Sequence, residues 1–295
     1  MLVINRRVKI DPGTIILFHH FRRLLEAAAR EGIEIAPLKG AHLLTSVYGP
    51  DEDRGPLADV DFLVRPEDWQ RTLSLLARLG FRPRRRMDDR PVTGEEFYET
   101  GYILDINEDH RILFEPHRTL IQPQRHPIDY AALWDRTGES TFDGAPCRRL
   151  THEDHFLYTV IHMTTHRFLS PAREVRDLEL LVRNGGVDLE LVVRRAGEWE
   201  CRRSAWLALG LLDRRAPDLG LRRHRDSLGV PRHVRLALEA LVPGETGFVC
   251  AAGGLRTQEA LLWPWLMDGP GPLLRFGRYY ARLRLRDWLA RFSRR

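Results

Sequence analysis

Lysine is almost missing from this chain. Of the 46 basic residues among 295, only Lys9 and Lys39 are lysine; the rest are arginine. So uniform a bias acts on every basic position alike and says nothing about nucleic acid, but it makes Lys39 stand out. Cysteine is scarce as well. Cys147, Cys201 and Cys250 are odd in number and far apart, which excludes a disulfide-stapled fold and a cysteine-rich zinc or iron–sulfur site. No apolar run approaches the roughly 20 residues of a membrane span. The opening MLVINRRVKIDPG lacks the apolar core and small-residue cleavage site of a secretory signal. These absences fit a cytoplasmic protein and leave its oligomeric state open. GxxxxGK[ST] and GxGxxG are both absent, so neither a P-loop nor a dinucleotide fingerprint is present.

What remains is a core-forming composition, 43% hydrophobic and 29% charged, with a formal net charge of +5. The length suits one large domain or two ordinary ones, and the charge favours anions without assigning a function.

Periodicity divides the chain. Asp11 and Pro12 read as the cap and first turn of a helix whose stripe runs through Ile15, Leu17, Phe18, Phe21, Leu24 and Leu25. IEIAPLKG (33–40) reads as a strand entering a turn, AHLLTSVYG (41–49) as a short helix, and LADVDFLV (57–64) as an alternating strand. Residues 66–80 form a helix between Pro66 and Gly80, 86–96 a loop, and 97–107 with 111–120 a hairpin. Residues 123–150 carry scattered turn signals, and everything beyond is helical in pattern. This predicts an α+β protein: a small mixed-sheet domain over 1–125, a linker with short elements over 126–150, and an all-helical domain over 151–295.

The strongest chemical signal is Asp59-Val60-Asp61. Carboxylates at i and i+2 of a strand share a face, and like charges so placed cost energy unless a cation offsets them. The pair is either a platform for a divalent ion, magnesium or manganese, or the solvent-facing side of an edge strand. Glu115, in RILFEPHRTL, is a third carboxylate if its strand pairs with that of Asp61, and otherwise a surface residue of a hairpin. Three carboxylates can hold two magnesium ions around a nucleoside triphosphate. In PLKGAHLL, Gly40 lets the backbone approach a phosphate at a helix N-terminus and Lys39 offers a point charge; alternatively Gly40 is an ordinary loop glycine.

Together these fragments resemble the polymerase-beta-like nucleotidyltransferase superfamily. They are closer still to its bacterial branch of uncharacterised nucleotidyltransferase family proteins. The matching pieces are Leu38-Lys39-Gly40, Tyr48, Arg54, Asp59-Val60-Asp61-Phe62-Leu63-Val64, Leu79-Gly80-Phe81 and Glu115-Pro116-His117, then His162, His166, Arg167 and Asp177, over roughly residues 15 to 180. The resemblance implies magnesium-dependent transfer of a nucleoside monophosphate to a hydroxyl or phosphate. It makes Asp59, Asp61 and Glu115 the catalytic metal ligands, and Lys39, Gly40, Ala41, His42, Arg54 and His117 the holders of nucleotide. Ala41 stands where such proteins commonly carry glycine or serine. Pro116 lacks an N–H, which restricts it to an edge or a strand end.

His162 and His166 lie four apart on one helical face. With Arg167 they either reach the triphosphate or acceptor, or form a hydrogen-bonded polar face. HMTTH lacks the glutamate of HExxH, so a metalloprotease is excluded; a zinc site needs a third ligand, for which Asp154, His155 and Asp177 lie within reach in sequence. From Arg275 to Arg295 eight arginines interleave with leucines and aromatics; such a helix binds RNA, a membrane surface or a partner, or simply caps the helical domain. Three functions remain open: nucleotidyl transfer to a small molecule, the same chemistry on RNA or protein, or a binding protein that keeps the fold.

Overall fold

The computed structural model describes residues 10–49, 51–84, 98–108, 110–122, 125–168, 171–242, 244 and 262–292. The opening arm with Lys9, the loop over 86–96, Cys250 and the last two arginines lie outside the described residues. Two compact units divide the chain: 1–122, 129–156 and 180–187 in the first, and 123–128, 157–179 and 188–295 in the second. The architecture is a small mixed α/β sheet region followed by a largely helical one.

In the first unit, helix α1 (Pro12–Arg30) begins where the Asp11 side chain accepts from the Thr14 N–H at 3.1 Å. Leu17, Phe18, Phe21, Leu24 and Leu25 of its stripe are buried as the periodicity predicts, whereas Ile15, in the first turn, is exposed. Strand β1 (Ile35–Pro37), helix α2 (Lys39–Ser46), strand β2 (Val60–Val64) and helix α3 (Trp69–Arg78) follow. A 3-10 turn, Pro66–Asp68, leads into α3, and Gly80 takes φ 92° just past its end. Strands β3 (Arg82–Pro83), β4 (Tyr102–Asp105) and β5 (Arg111–His117) complete a five-stranded sheet in the order β1-β2-β5-β4-β3.

β2 is buried along its whole length. It pairs antiparallel with β1 and parallel with β5, which sets Asp61 opposite Glu115 and Leu63 opposite His117. One sheet face packs on α1: the Phe21 ring lies 5.6 Å from Phe62 and 5.8 Å from Phe114. Because strand side chains alternate, Asp61, Glu115 and His117 project from the other face. Pro116 is the penultimate residue of a central strand, the strand-end position open to it.

Residues expected within a linker hold helix α4 (Tyr130–Asp135) and a hairpin of β6 (Gly138–Phe142) and β7 (Ala145–Arg149). The hairpin packs on α1 and β1, with Phe142 4.8 Å from Phe18 and 5.0 Å from Phe21. Helices α5 (His152–Thr165), α6 (Ala172–Gly185), α7 (Leu189–Glu198), α8 (Arg202–Arg215), α9 (Arg222–Ser227) and α10 (Arg232–Leu241) come next, then residues 262–266 and a last helix, Pro270–Phe292.

In the second unit α8 is central. It packs on α7, α9 and α10 and buries Trp206, Leu207, Leu209, Leu211 and Leu212. Cys201 precedes α8 and makes no side-chain cap. Asp268 caps it instead, accepting from the Arg202 and Arg203 N–H groups at 2.7 and 2.9 Å. Among the described residues no helix is long and apolar enough to cross a membrane.

Candidate active site

Asp61 sits in the middle of a wholly buried strand and is itself 3% exposed. A buried carboxylate needs partners, and Asp61 has two on one oxygen. Lys39 Nζ donates to Oδ1 at 2.7 Å, and His117 Nε2 lies 3.0 Å from the same atom. His117 is also buried, and its Nε2 lies 3.5 Å from Glu99 Oε2. Parallel pairing places Glu115 beside Asp61. Ligand atoms of Asp61, Glu115 and His117 all lie within 4.8 Å of one another, and no other group of three such side chains was found among the described residues.

The charges explain one another. Burial works against the Asp61 anion, yet Lys39 and the His117 hydrogen bond hold its carboxyl well below the usual range. Burial likewise opposes the Lys39 ammonium, but Asp61, helped by Glu99 and Asp59, pushes it up to about 12. Glu115 lacks such a partner. Burial, then Asp61, Glu99 and Asp59, push it up to about 7; Arg84 is 3.9 Å away. Asp59 is raised for the same reasons, burial first and Asp61 second. Lys39, with Arg84 beside Glu115 and Arg54 acting on Asp59, faces four carboxylates, so acids outnumber bases and the pocket is short of positive charge.

That shortage, with a donor set of carboxylate oxygens and one imidazole, fits a hard divalent ion such as magnesium or manganese. Asp61, Glu115 and His117 are the residues placed to hold it. The sequence pattern favours Asp59 in place of His117. Asp59 precedes β2, half-buried, stands outside this group of three, and adds its negative charge to that around Glu115 and Lys39. Sequence reasoning does not pick out Glu99: it stands before β4 and meets β5 through an isolated bridge to His117, which no periodicity announces.

Lys39 and Gly40 open α2 rather than preceding it. Lys39 has φ 43°, rare for a residue with a side chain. At Gly40 a Cβ would fall against Leu57 and within 2.6 Å of the Arg54 guanidinium, so this glycine is needed for close packing of Arg54. Ala41 and His42 are buried. The His42 ring stacks on His155 with centroids 4.1 Å apart, inside the fold. His162, His166 and Arg167 belong to the second unit. The two histidine rings there are 4.4 Å apart, and Arg167 has φ 59°.

The sequence model of a family described as uncharacterised nucleotidyltransferase matches residues 7–217. No curated protein matches the chain. Among solved structures, an antigenic nucleotidyltransferase-like protein from Paracoccidioides brasiliensis aligns with TM-score 0.46 and 14% identity over 72% of this chain and 92% of that one. The antibiotic-resistance factor ANT(2'')-Ia in solution aligns with TM-score 0.42 and 16% identity over 66% and 96%. ANT(2'')-Ia in complex with adenylyl-2''-tobramycin gives 0.38 and 15% over 61% and 95%. These structural likenesses are distant, and the family match carries the assignment.

Proposed function

The chain belongs to the family of uncharacterised nucleotidyltransferases, within the polymerase-beta-like superfamily, and from that premise we propose that it moves a nucleoside monophosphate from a nucleoside triphosphate to a hydroxyl or phosphate of a small-molecule acceptor. The observation that carries this reading is the register of β2 against β5, which gathers Asp61, Glu115 and His117 at one spot on the sheet face away from α1.

The acceptor oxygen attacks the α-phosphorus. The bond from that phosphorus to the oxygen bridging to the β-phosphate breaks, and pyrophosphate leaves with the electron pair. The proton of a hydroxyl acceptor passes to a carboxylate, the role we assign to Glu115. Asp61, Glu115 and His117, with Asp59 adding negative charge, would hold a divalent ion, which would supply positive charge to offset the triphosphate and acidify the acceptor hydroxyl.

The chain's own groups do the rest. The first turn of α2 presents free N–H groups to phosphate. Arg54, packed over Gly40, and Lys39 add cationic donors beside them. His117 orients Asp61 through its 3.0 Å contact and would give up that hydrogen bond on taking a metal at Nε2.

The test is pyrophosphate release from each of the four common nucleoside triphosphates with magnesium or manganese, against a panel of hydroxylated and phosphorylated small molecules. Release that depends on both metal and acceptor, and vanishes in Asp61→Ala, supports the reading. Turnover on RNA or protein alone moves the acceptor to that class. No turnover and no nucleotide binding, by a folded protein, removes the enzymatic reading.

A further inference from the structure

Lys39 sits where a cation is wanted. Its Nζ lies 2.7 Å from Asp61 Oδ1, and His117 Nε2 is 3.0 Å from the same oxygen. A carboxylate oxygen has about two lone-pair directions, so Oδ1 is filled. Any ion that takes the remaining oxygen meets an ammonium already bound to the same carboxylate. The contact is held by a backbone at φ 43°, a left-handed conformation that a non-glycine residue keeps only where its surroundings enforce it. The residue type also points to this role. In a chain that otherwise uses arginine throughout its described residues, this position carries the compact point charge that fits a single oxygen, where arginine would present a planar fork.

We infer that Lys39 is a positioning residue that acts as a resident counter-cation: it excludes a divalent ion from Asp61 while the site is empty and gives way when a triphosphate draws its ammonium off. This deepens the nucleotidyltransfer reading and rests on it for the second half. Lys39 thereby has two opposite effects. It weakens metal binding to the free protein and strengthens binding of the metal-loaded nucleotide. By linkage, the triphosphate and the ion then favour each other.

The experiment titrates the full chain with manganese alone, reading free ion by electron paramagnetic resonance, and measures the KM for a magnesium–nucleoside triphosphate in parallel. Lys39→Met removes the charge and keeps the stem. Lys39→Gly removes the charge and accepts the backbone conformation, guarding against a variant that fails to fold. Both variants bind manganese tighter than the unaltered protein by about 10-fold or more, and both show a higher KM. Adding Asp61→Asn to either abolishes the gain. A lysine that only holds the fold together would weaken both bindings.

Equal or weaker manganese binding in both variants overturns the inference, as does a gain that survives Asp61→Asn. If manganese tightens but no variant uses any nucleotide, the exclusion stands and the nucleotidyltransfer reading falls with the second half. If turnover is normal but manganese affinities match, the exclusion falls and the reading stands.

Discussion

Asp61 and Glu115 face each other across a parallel strand pair, one ionised against Lys39 and the other raised toward neutrality for lack of a comparable partner. The two carboxyls differ because Lys39 Nζ binds Asp61 Oδ1 at 2.7 Å. One ammonium cannot serve both, and burial penalises whichever charge is left uncompensated.

Asp61 therefore bears on both stability and chemistry. In Asp61→Ala, Lys39 loses its hydrogen-bond acceptor and buried His117 loses its 3.0 Å partner. Removing one member of a buried pair costs about 3–5 kcal/mol, so this variant melts markedly lower. Asp61→Asn keeps an acceptor oxygen and melts closer to the unaltered protein. Both lose activity by more than the roughly 10–100-fold that removal of an outer-shell partner costs. Thermal melts and pyrophosphate assays on the two variants check this; an active Asp61→Asn protein would remove Asp61 from the site.

Gly40→Ala acts through Arg54. The new Cβ would meet the Leu57 side chain and lie 2.6 Å from the Arg54 guanidinium, so Leu57 must shift and Arg54 must swing away from the first turn of α2. Both atoms met are side-chain ends, so the fold tolerates the change. The expected result is a KM for nucleoside triphosphate raised about 10-fold, as for loss of one charge-assisted contact, with kcat changed far less. Arg54→Ala gives a similar rise, and the double variant adds little to either. Additive effects in that cycle would separate Gly40 from Arg54.

Much of this was legible in the sequence. The stripe on α1, the β4–β5 hairpin and the helical remainder follow from periodicity, and Asp61 shows as a carboxylate inside an apolar strand. The pairing of β2 with β5 does not follow, because parallel strands far apart in sequence leave no turn signature. The β6–β7 hairpin hid among turn signals, although its Asp143-Gly144 turn, with φ 48° and 82°, is the dipeptide a tight hairpin favours. The Lys39–Asp61 contact depends on one left-handed residue and so has no pattern to betray it. Glu99 was invisible for a similar reason: a single bridge outside any strand brings it to His117.

Three buried histidines work against the fold as pH drops from near 6.5. Burial, then nearby His152 and Arg149, lower His42 from its ordinary 6.5 to about 3. Burial, with His42 as the next cause, holds His155 well below that value, and in the second unit burial lowers His126 to about 4. Between the folded and unfolded values the unfolded chain binds more protons, so stability rises with pH there and is lost as pH falls. Each histidine contributes at most about 1.4 kcal/mol per pH unit. Urea midpoints at pH 7.5 and 5 measure the loss, and His42→Asn makes it shallower. An unchanged slope in that variant would place the acid sensitivity elsewhere.

Glu115→Gln separates folding from function. The carboxyl is raised from 4.5 to about 7, by burial first and by Asp61, Glu99 and Asp59 after it. Between those values the folded protein binds more protons than the unfolded chain, so this group costs stability as pH rises through the window, and the full cost is present above about 7. After allowance for partial exposure to solvent the cost is about 1–2 kcal/mol. The neutral amide removes it. Without metal, Glu115→Gln melts higher than the unaltered protein at pH 8, and the two converge near pH 4, where the native carboxyl is protonated in both states. Magnesium reverses the order: the unaltered protein gains stability by offsetting its crowded acids, while the variant gains little and transfers no nucleotide. Melts at the two pH values, with and without magnesium, decide the matter. Lower stability of the variant at pH 8 without metal would mean that Glu115 is held by a favourable partner and does not share in the shortage of positive charge.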